Sequence, residues 1–296
     1  MVFRRDAHLV EVRRMLEREF PCGTWELSLP PQGTGNETYF GRCAERSCFI
    51  KLGVEIERYR IMDSLGLAPH LIMTGCLEDG TALVVQERVG GRKPSRKDFR
   101  DHLEQFAQAI RVTHECEALQ QVLSPKRSGF YRDAGLDTLA EVERRWKGVR
   151  FMVPESAAYV ESCIECLRNE IYQFEGEGLV ASHNDICNAN WLVSTQGRVY
   201  LIDYEMMSME DPALDLGAIL WWYYPPELRG RFLQVAGCSS DEGFLRRMRI
   251  RMAVHNLNII LPRENSFDTF ESVGFEETLI DFRALMEGKD NPQGYD

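Results

Sequence analysis

Between residues 182 and 205 the chain reads Ser182-His183-Asn184-Asp185-Ile186-Cys187-Asn188-Ala189-Asn190, then the apolar run Val199-Tyr200-Leu201-Ile202, then Asp203-Tyr204-Glu205. This is the wording of a short strand-loop-strand unit, and it gathers three oxygen-bearing side chains, Asp185, Asn190 and Asp203. The plain alternative is a polar turn and a capped strand, since Asn and Asp favour turns through local hydrogen bonds.

Transfer of a phosphoryl group from ATP needs a carboxylate to orient the acceptor hydroxyl and oxygen ligands to hold magnesium against the phosphates. Asp185, Asn190 and Asp203 have that chemistry in that order. The stretch resembles the aminoglycoside phosphotransferase and choline kinase superfamily, whose pattern is H-x-D-x-x-x-x-N followed by I-D-x-E. The resemblance extends to Asp211-Pro212-Ala213-Leu214-Asp215-Leu216-Gly217, which is similar to the family's D-P-x-x-D-L-(A/G) helix start.

The resemblance implies Asp185 as catalytic base, Asn190 and Asp203 as magnesium ligands, His183 as a buttress of the loop and Asp215 as its anchor from below. Glu205 is left between a structural role, a metal-supporting role and a substrate contact. The implied fold is α+β and protein-kinase-like in two lobes. A small antiparallel-sheet lobe with one key helix spans residues 1–89, and a larger, mainly helical lobe spans 90–296.

Hydrophobic periodicity supports that division. Strand character recurs at residues 25–29, 37–43, 48–52, 71–76 and 82–87, interrupted by one helix near 54–65 and preceded by an amphipathic helix near 6–19. Helical spacing then dominates at 99–114, 136–149, 157–174, 213–224, 244–260 and 275–286. The boundary falls at Val89-Gly90-Gly91, where paired glycines allow a flexible crossing. Residues 289–296 are expected to be disordered.

In the first lobe, Gly33, Gly35 and Asn36 lie between two expected strands, where glycines let backbone N–H groups approach phosphates; a hairpin turn explains them equally well. The loop is neither G-x-G-x-x-G nor G-x-x-x-x-G-K-[ST], which disfavours dinucleotide-binding and P-loop readings. Lys51 ends the strand that follows, where kinase-like folds present a lysine to the α- and β-phosphates. The family pairs that lysine with a helix glutamate, for which Glu55 fits better than Glu57. By position, backbone groups of Glu87 and Val89 would read adenine.

For the acceptor, Trp221-Trp222-Tyr223-Tyr224 offers aromatic faces to a cationic amine, with Trp221, Trp222 and Tyr224 as candidate contacts; a core role is the plain alternative. Choline kinases share the H-N-D and I-D-Y-E wording, which favours an amino-alcohol acceptor. Two residues depart from them: Met206 where an aromatic is common, and Trp222 where an acid is common. The acids Glu264, Asp268, Glu271, Glu276, Glu277 and Asp281 keep an aminoglycoside acceptor in view, although such charges also suit a solvated helix face.

At 296 residues and 44% hydrophobic, the chain can bury a substantial core in one or two domains. A net charge of −11 disfavours nucleic acid and anionic membranes as partners and fits a cationic acceptor; that the acceptor is a small hydroxyl-bearing molecule is what the resemblance implies. No leader-like or membrane-spanning run is visible, and the nine cysteines do not form a disulfide pattern, so a cytoplasmic setting is expected. The Cys163–Cys166 pair lacks a second pair for a zinc site. A protein kinase is disfavoured by the lack of Asp-Phe-Gly and Ala-Pro-Glu wording. A catalytically silent nucleotide-binding protein of the same fold remains the rival of another class.

Overall fold

The computed structural model describes residues 2–30, 37–44, 46–123, 128–262 and 272–295. Gly33, Gly35 and Asn36, and the acidic Glu264, Asp268 and Glu271, lie outside the described residues. In chain order the first elements are α1 (Val2–Glu19), β1 (Glu26–Ser28), β2 (Thr38–Cys43), β3 (Arg46–Leu52), α2 (Ile56–Ser64), β4 (Leu71–Cys76), β5 (Ala82–Glu87) and β6 (Gly91–Arg92). Helices α3 (Arg96–Asp101), α4 (Leu103–Glu115), α5 (Glu117–Val122), α6 (Tyr131–Val149) and α7 (Pro154–Tyr172) follow. The loop motif lies between β7 (Val180–Ser182) and β8 (Trp191–Ser194), and β9 (Val199–Leu201) and β10 (Ser208–Glu210) bracket Asp203 and Glu205. The chain ends in α8 (Pro212–Tyr223), α9 (Pro226–Val235), α10 (Glu242–Ile260) and α11 (Ser272–Met286).

Two compact units result. One comprises Met1–Lys93 with Trp191–Glu205, the other Pro94–Asn190 with Met206–Asp296. The hairpin that leads to Asp203 thus belongs to the first unit, although in sequence it follows the loop of residues 183–190 in the second unit.

In the first unit five antiparallel strands lie in the order β1-β2-β3-β5-β4. Strand alternation decides which side chains meet: Tyr39 pairs with Ile50 and Ile50 with Val85, and these bury with Val12 and Leu16 of α1. Lys51, one residue on, projects from the opposite face. Helix α2 ends in a left-handed Gly66, φ +69°, where an L side chain would be strained. The Gly66 carbonyl accepts Arg198 of the β8–β9 hairpin at 2.7 Å.

That hairpin extends to β6, which pairs with β8 in a second, three-stranded sheet. The expected Gly90-Gly91 crossing runs alongside this hairpin. The Gly90 carbonyl accepts Thr195 N–H, and a Cβ on Gly91 would stand 2.6 Å from the Val193 carbonyl oxygen. The glycine permits close strand approach.

In the second unit α10 is the central helix, packing against α6, α7, α8 and α11, while β7 pairs with β10 and rests against α4, α5 and α8. A Cβ on Gly217 would lie 2.7 Å from the Met248 carbonyl oxygen, so glycine is what lets α8 approach α10. The expected helix at 99–114 is two: a Ser95–Asp98 capping box starts α3 earlier, and His102, at φ −113° and ψ 25°, ends it before α4 begins.

Residues 289–295 are also ordered, against expectation. Asn291 is buried and donates to the Trp222 carbonyl, while the Gln293 and Tyr295 carbonyls accept Arg96 and Arg100. Hydrogen bonding to other segments, which composition does not report, holds this stretch. Among the described residues no helix is long and apolar enough to cross a membrane.

Candidate active site

The second unit supplies the loop after β7. Asp215, in the first turn of α8, is almost fully buried, and its two carboxylate oxygens accept the peptide N–H groups of His183 at 2.8 Å and Asn184 at 2.9 Å. His114 Nε2 lies 3.0 Å from the same carboxylate. Burial alone would raise the Asp215 pKa, but the His114 hydrogen bond and charge, with help from His183, hold it at about 2. It therefore stays an acceptor for both loop N–H groups.

The loop above it is shaped by Asn184, whose backbone adopts φ +65°, a conformation Asn tolerates better than most residues. Its side-chain amide donates to the Met206 carbonyl and to Ser208 Oγ. Asp185 follows, half-buried. Asn190 closes the loop by donating through Nδ2 to both the main-chain oxygen and Oδ2 of Asp185, each at 2.8 Å. His183 is fully buried beneath.

The aromatic quartet is divided by its helix end. Trp221 is buried and donates to the Lys289 carbonyl; Tyr224 is fully buried, packs on Phe232 and donates to the Phe99 carbonyl. Both are core residues, which corrects their assignment as acceptor contacts. Trp222 is half-exposed and meets His255 edge-on at 5.8 Å.

Tyr223, outside the expected contacts, is the one that touches the loop. Its hydroxyl accepts Asn188 N–H at 2.8 Å, and its ring stacks on Phe99 at 4.1 Å. His255 is also new: burial drives its pKa down to about 4, partly opposed by the charges of Asp185 and Asp215, so it is neutral near pH 7. His114 completes the set that the sequence did not single out. A histidine eleven residues beyond a helix's apolar start carries no local signal of its partner.

The first unit holds Lys51. It is buried, and its Nζ pairs with Asp203 Oδ1 at 2.6 Å and Glu205 Oε1 at 2.5 Å. Asp203 adopts φ +72°, a strained backbone of the kind found at functional sites. Tyr59 of α2 donates to Glu205 Oε1 at 2.9 Å. Burial raises the Glu205 pKa, a hydrogen bond with Asp203 adds to this, and Lys51 opposes it.

The helix glutamates stand elsewhere. Glu55 is the exposed N-cap residue of α2, and Glu57 pairs with Arg60 one turn on. The structure does not bring either to Lys51, and it places Glu205 there instead of among acceptor contacts. Glu87 ends β5 with its N–H given to the His70 carbonyl, and Val89 follows half-buried.

Of the C-terminal acids within the described residues, Glu276 accepts Ser156, Asp281 is buried and Glu277 is exposed. All nine cysteines are free thiols, Cys163 buried and Cys166 exposed on the same helix.

A sheet unit carrying a buried lysine and a helical unit carrying this loop define a protein-kinase-like fold, and known proteins agree. Residues 33–248 match the phosphotransferase enzyme family (APH), and the chain belongs to it. An aminoglycoside phosphotransferase in ternary complex with AMP-PNP and hygromycin B is similar at TM-score 0.66 and 16% identity, over 94% of this chain and 98% of that one. A choline/ethanolamine kinase family protein from Mesorhizobium loti gives 0.62 at 18%, over 99% and 96%. Spectinomycin phosphotransferase in complex with ADP and spectinomycin gives 0.63 at 15%, over 97% and 95%.

Proposed function

We propose that this phosphotransferase moves the γ-phosphate of ATP to a hydroxyl of a small cationic molecule, of the choline or ethanolamine class. The observation that carries the reading is the loop itself, with Asp185 fixed by Asn190 and hung through two peptide N–H groups on the Asp215 carboxylate.

In this reading Asp185 accepts the hydroxyl proton and aligns its oxygen for attack. His183 fills the space beneath the loop, and Lys51 meets the α- and β-phosphates. The Glu87 carbonyl and Val89 backbone read adenine.

Asn190 and Asp203 fit magnesium by donor chemistry. The Asn190 amide nitrogen is committed to Asp185, which leaves its oxygen to offer, and the Asp203 carboxylate is half-exposed. Phosphate and water oxygens would complete the shell, as is usual for magnesium at phosphate-transfer sites. Magnesium, when bound, would neutralise the phosphate charge.

Trp222, half-exposed, offers its ring to a protonated or quaternary amine, against a neutral His255. An aminoglycoside acceptor draws support from two of the similar structures but less from this chain, where Glu276 and Asp281 are already engaged.

The test is ADP release with magnesium and ATP across choline, ethanolamine, thiamine, homoserine, sugars and aminoglycosides, with Asp185→Asn alongside. An amino-alcohol signal that disappears in the variant supports the proposal. Turnover only with aminoglycosides overturns the acceptor class. Nucleotide binding without turnover across all acceptors favours the catalytically silent alternative.

A further inference from the structure

We infer that Glu205, braced by Tyr59, is the positioning partner of Lys51, replacing a glutamate on α2. The inference rests on the phosphotransferase reading and concerns how its phosphate-contacting lysine is held.

Three observations within the first unit carry it. Lys51 has two carboxylate neighbours, and they differ in exposure: the Asp203 side chain is 49% exposed and that of Glu205 28%, against 9% for Lys51. If Asp203 turns to a metal, Lys51 retains Glu205. Glu205 is itself fixed from two sides, its Oε1 by the Tyr59 hydroxyl and its main-chain oxygen by Arg58 Nη1 at 3.1 Å.

Arg58 also donates to the Tyr204 carbonyl at 2.9 Å, and the Tyr59 and Tyr204 rings meet edge-on at 4.8 Å. Consecutive residues of α2 thus grip consecutive residues after β9. In this arrangement α2 reaches Lys51 through Tyr59 and Glu205: Glu55 stands exposed at the N-cap position and Glu57 pairs with Arg60.

Glu205 is therefore a positioning residue, acting through Lys51. A lysine without a fixed carboxylate samples more rotamers, and its phosphate contact weakens.

The experiment measures AMP-PNP affinity by calorimetry, without turnover, on the full chain. Glu205→Gln is expected to raise Kd by roughly 5–50-fold, the scale of one charge-assisted hydrogen bond, and Tyr59→Phe by about 2–5-fold. In a Lys51→Met background the added Glu205→Gln should change Kd by less than about twofold, because the pair acts as a unit. A merely structural role would instead add in both backgrounds.

Unchanged affinity in both Glu205→Gln and Tyr59→Phe overturns the inference while leaving the phosphotransferase reading intact, as does full additivity with Lys51→Met. Loss produced by Glu55→Gln or Glu57→Gln, with Glu205→Gln silent, overturns it in favour of a helix glutamate. A wild-type protein that binds no nucleotide overturns both. Thermal unfolding of each variant separates misfolding from weakened binding, and Tyr59→Phe keeps the test open if Glu205→Gln does not fold.

Discussion

His114 Nε2 stands 3.0 Å from Asp215 Oδ2, and neither residue is appreciably exposed to solvent. The pair lies under the loop that presents Asp185, so the geometry of the proposed base depends on a contact between two helices, α4 and α8. Replacing Asp215 by Ala would strand the His183 and Asn184 N–H groups and leave His114 without its carboxylate. We expect a loss of about 3–5 kcal/mol, the scale for breaking a buried pair. Urea unfolding measures it; a loss below about 1 kcal/mol would rule out the anchoring role.

The same anchor has a pH signature. The Asp215 pKa is held at about 2, below its ordinary carboxylate value, so its contribution is fully present above about pH 4 and is lost as pH falls through 2. Asp215→Asn should flatten that acid limb of the stability curve. An acid limb identical to wild type would assign it to other carboxylates.

Substituting the proposed base is a different kind of change, because Asp185 is half-buried and its removal leaves the Asp215 contacts in place. Asp185→Asn should lower kcat by roughly 10²–10⁴-fold, as for a positioned general base, with AMP-PNP affinity and unfolding midpoint close to wild type. Retained turnover in a folded variant would remove Asp185 from that role.

How much of this was legible in the sequence follows from the range of the interactions concerned. Alternation and helical spacing are local, so the five strands and long helices fall within a few residues of expectation, and Gly66 ends α2 where its left-handed conformation is needed. The partner of Lys51 is not local: Glu205 lies 154 residues away, and Glu55 stands exposed at the start of α2. The Trp221–Tyr224 cluster fails for a different reason. Helix α8 is buried almost all round, so no polar face sets its phase, and Tyr224 lies beyond the helix in extended backbone. Four successive aromatics then point four ways, and only the fold shows that Tyr223 reaches the loop.

Tyr223 gives a measurable consequence. Tyr223→Phe keeps the stacking on Phe99 but removes the acceptor of the Asn188 N–H, worth about 1 kcal/mol in a typical neutral hydrogen bond. The loop between Asp185 and Asn190 should loosen, lowering kcat by a few-fold with little change in stability, as steady-state kinetics can show. An effect equal to that of Tyr223→Ala would place the contribution in the ring instead.

His8 supplies a test far from the loop. On α1 it lies between Glu37 at 2.9 Å and Asp79 at 3.1 Å, joining the helix to two separate segments of the first unit. Burial alone would lower its pKa, but hydrogen bonds and charges from both acids outweigh this and raise it above the ordinary value near 6.5. A raised folded pKa stabilises the protonated, folded form. The contribution is therefore full below about pH 6.5 and is lost as pH rises through the folded value. The Tm difference between wild type and His8→Gln should shrink across that window, and a difference that grew with pH would mean that His8 is held neutral.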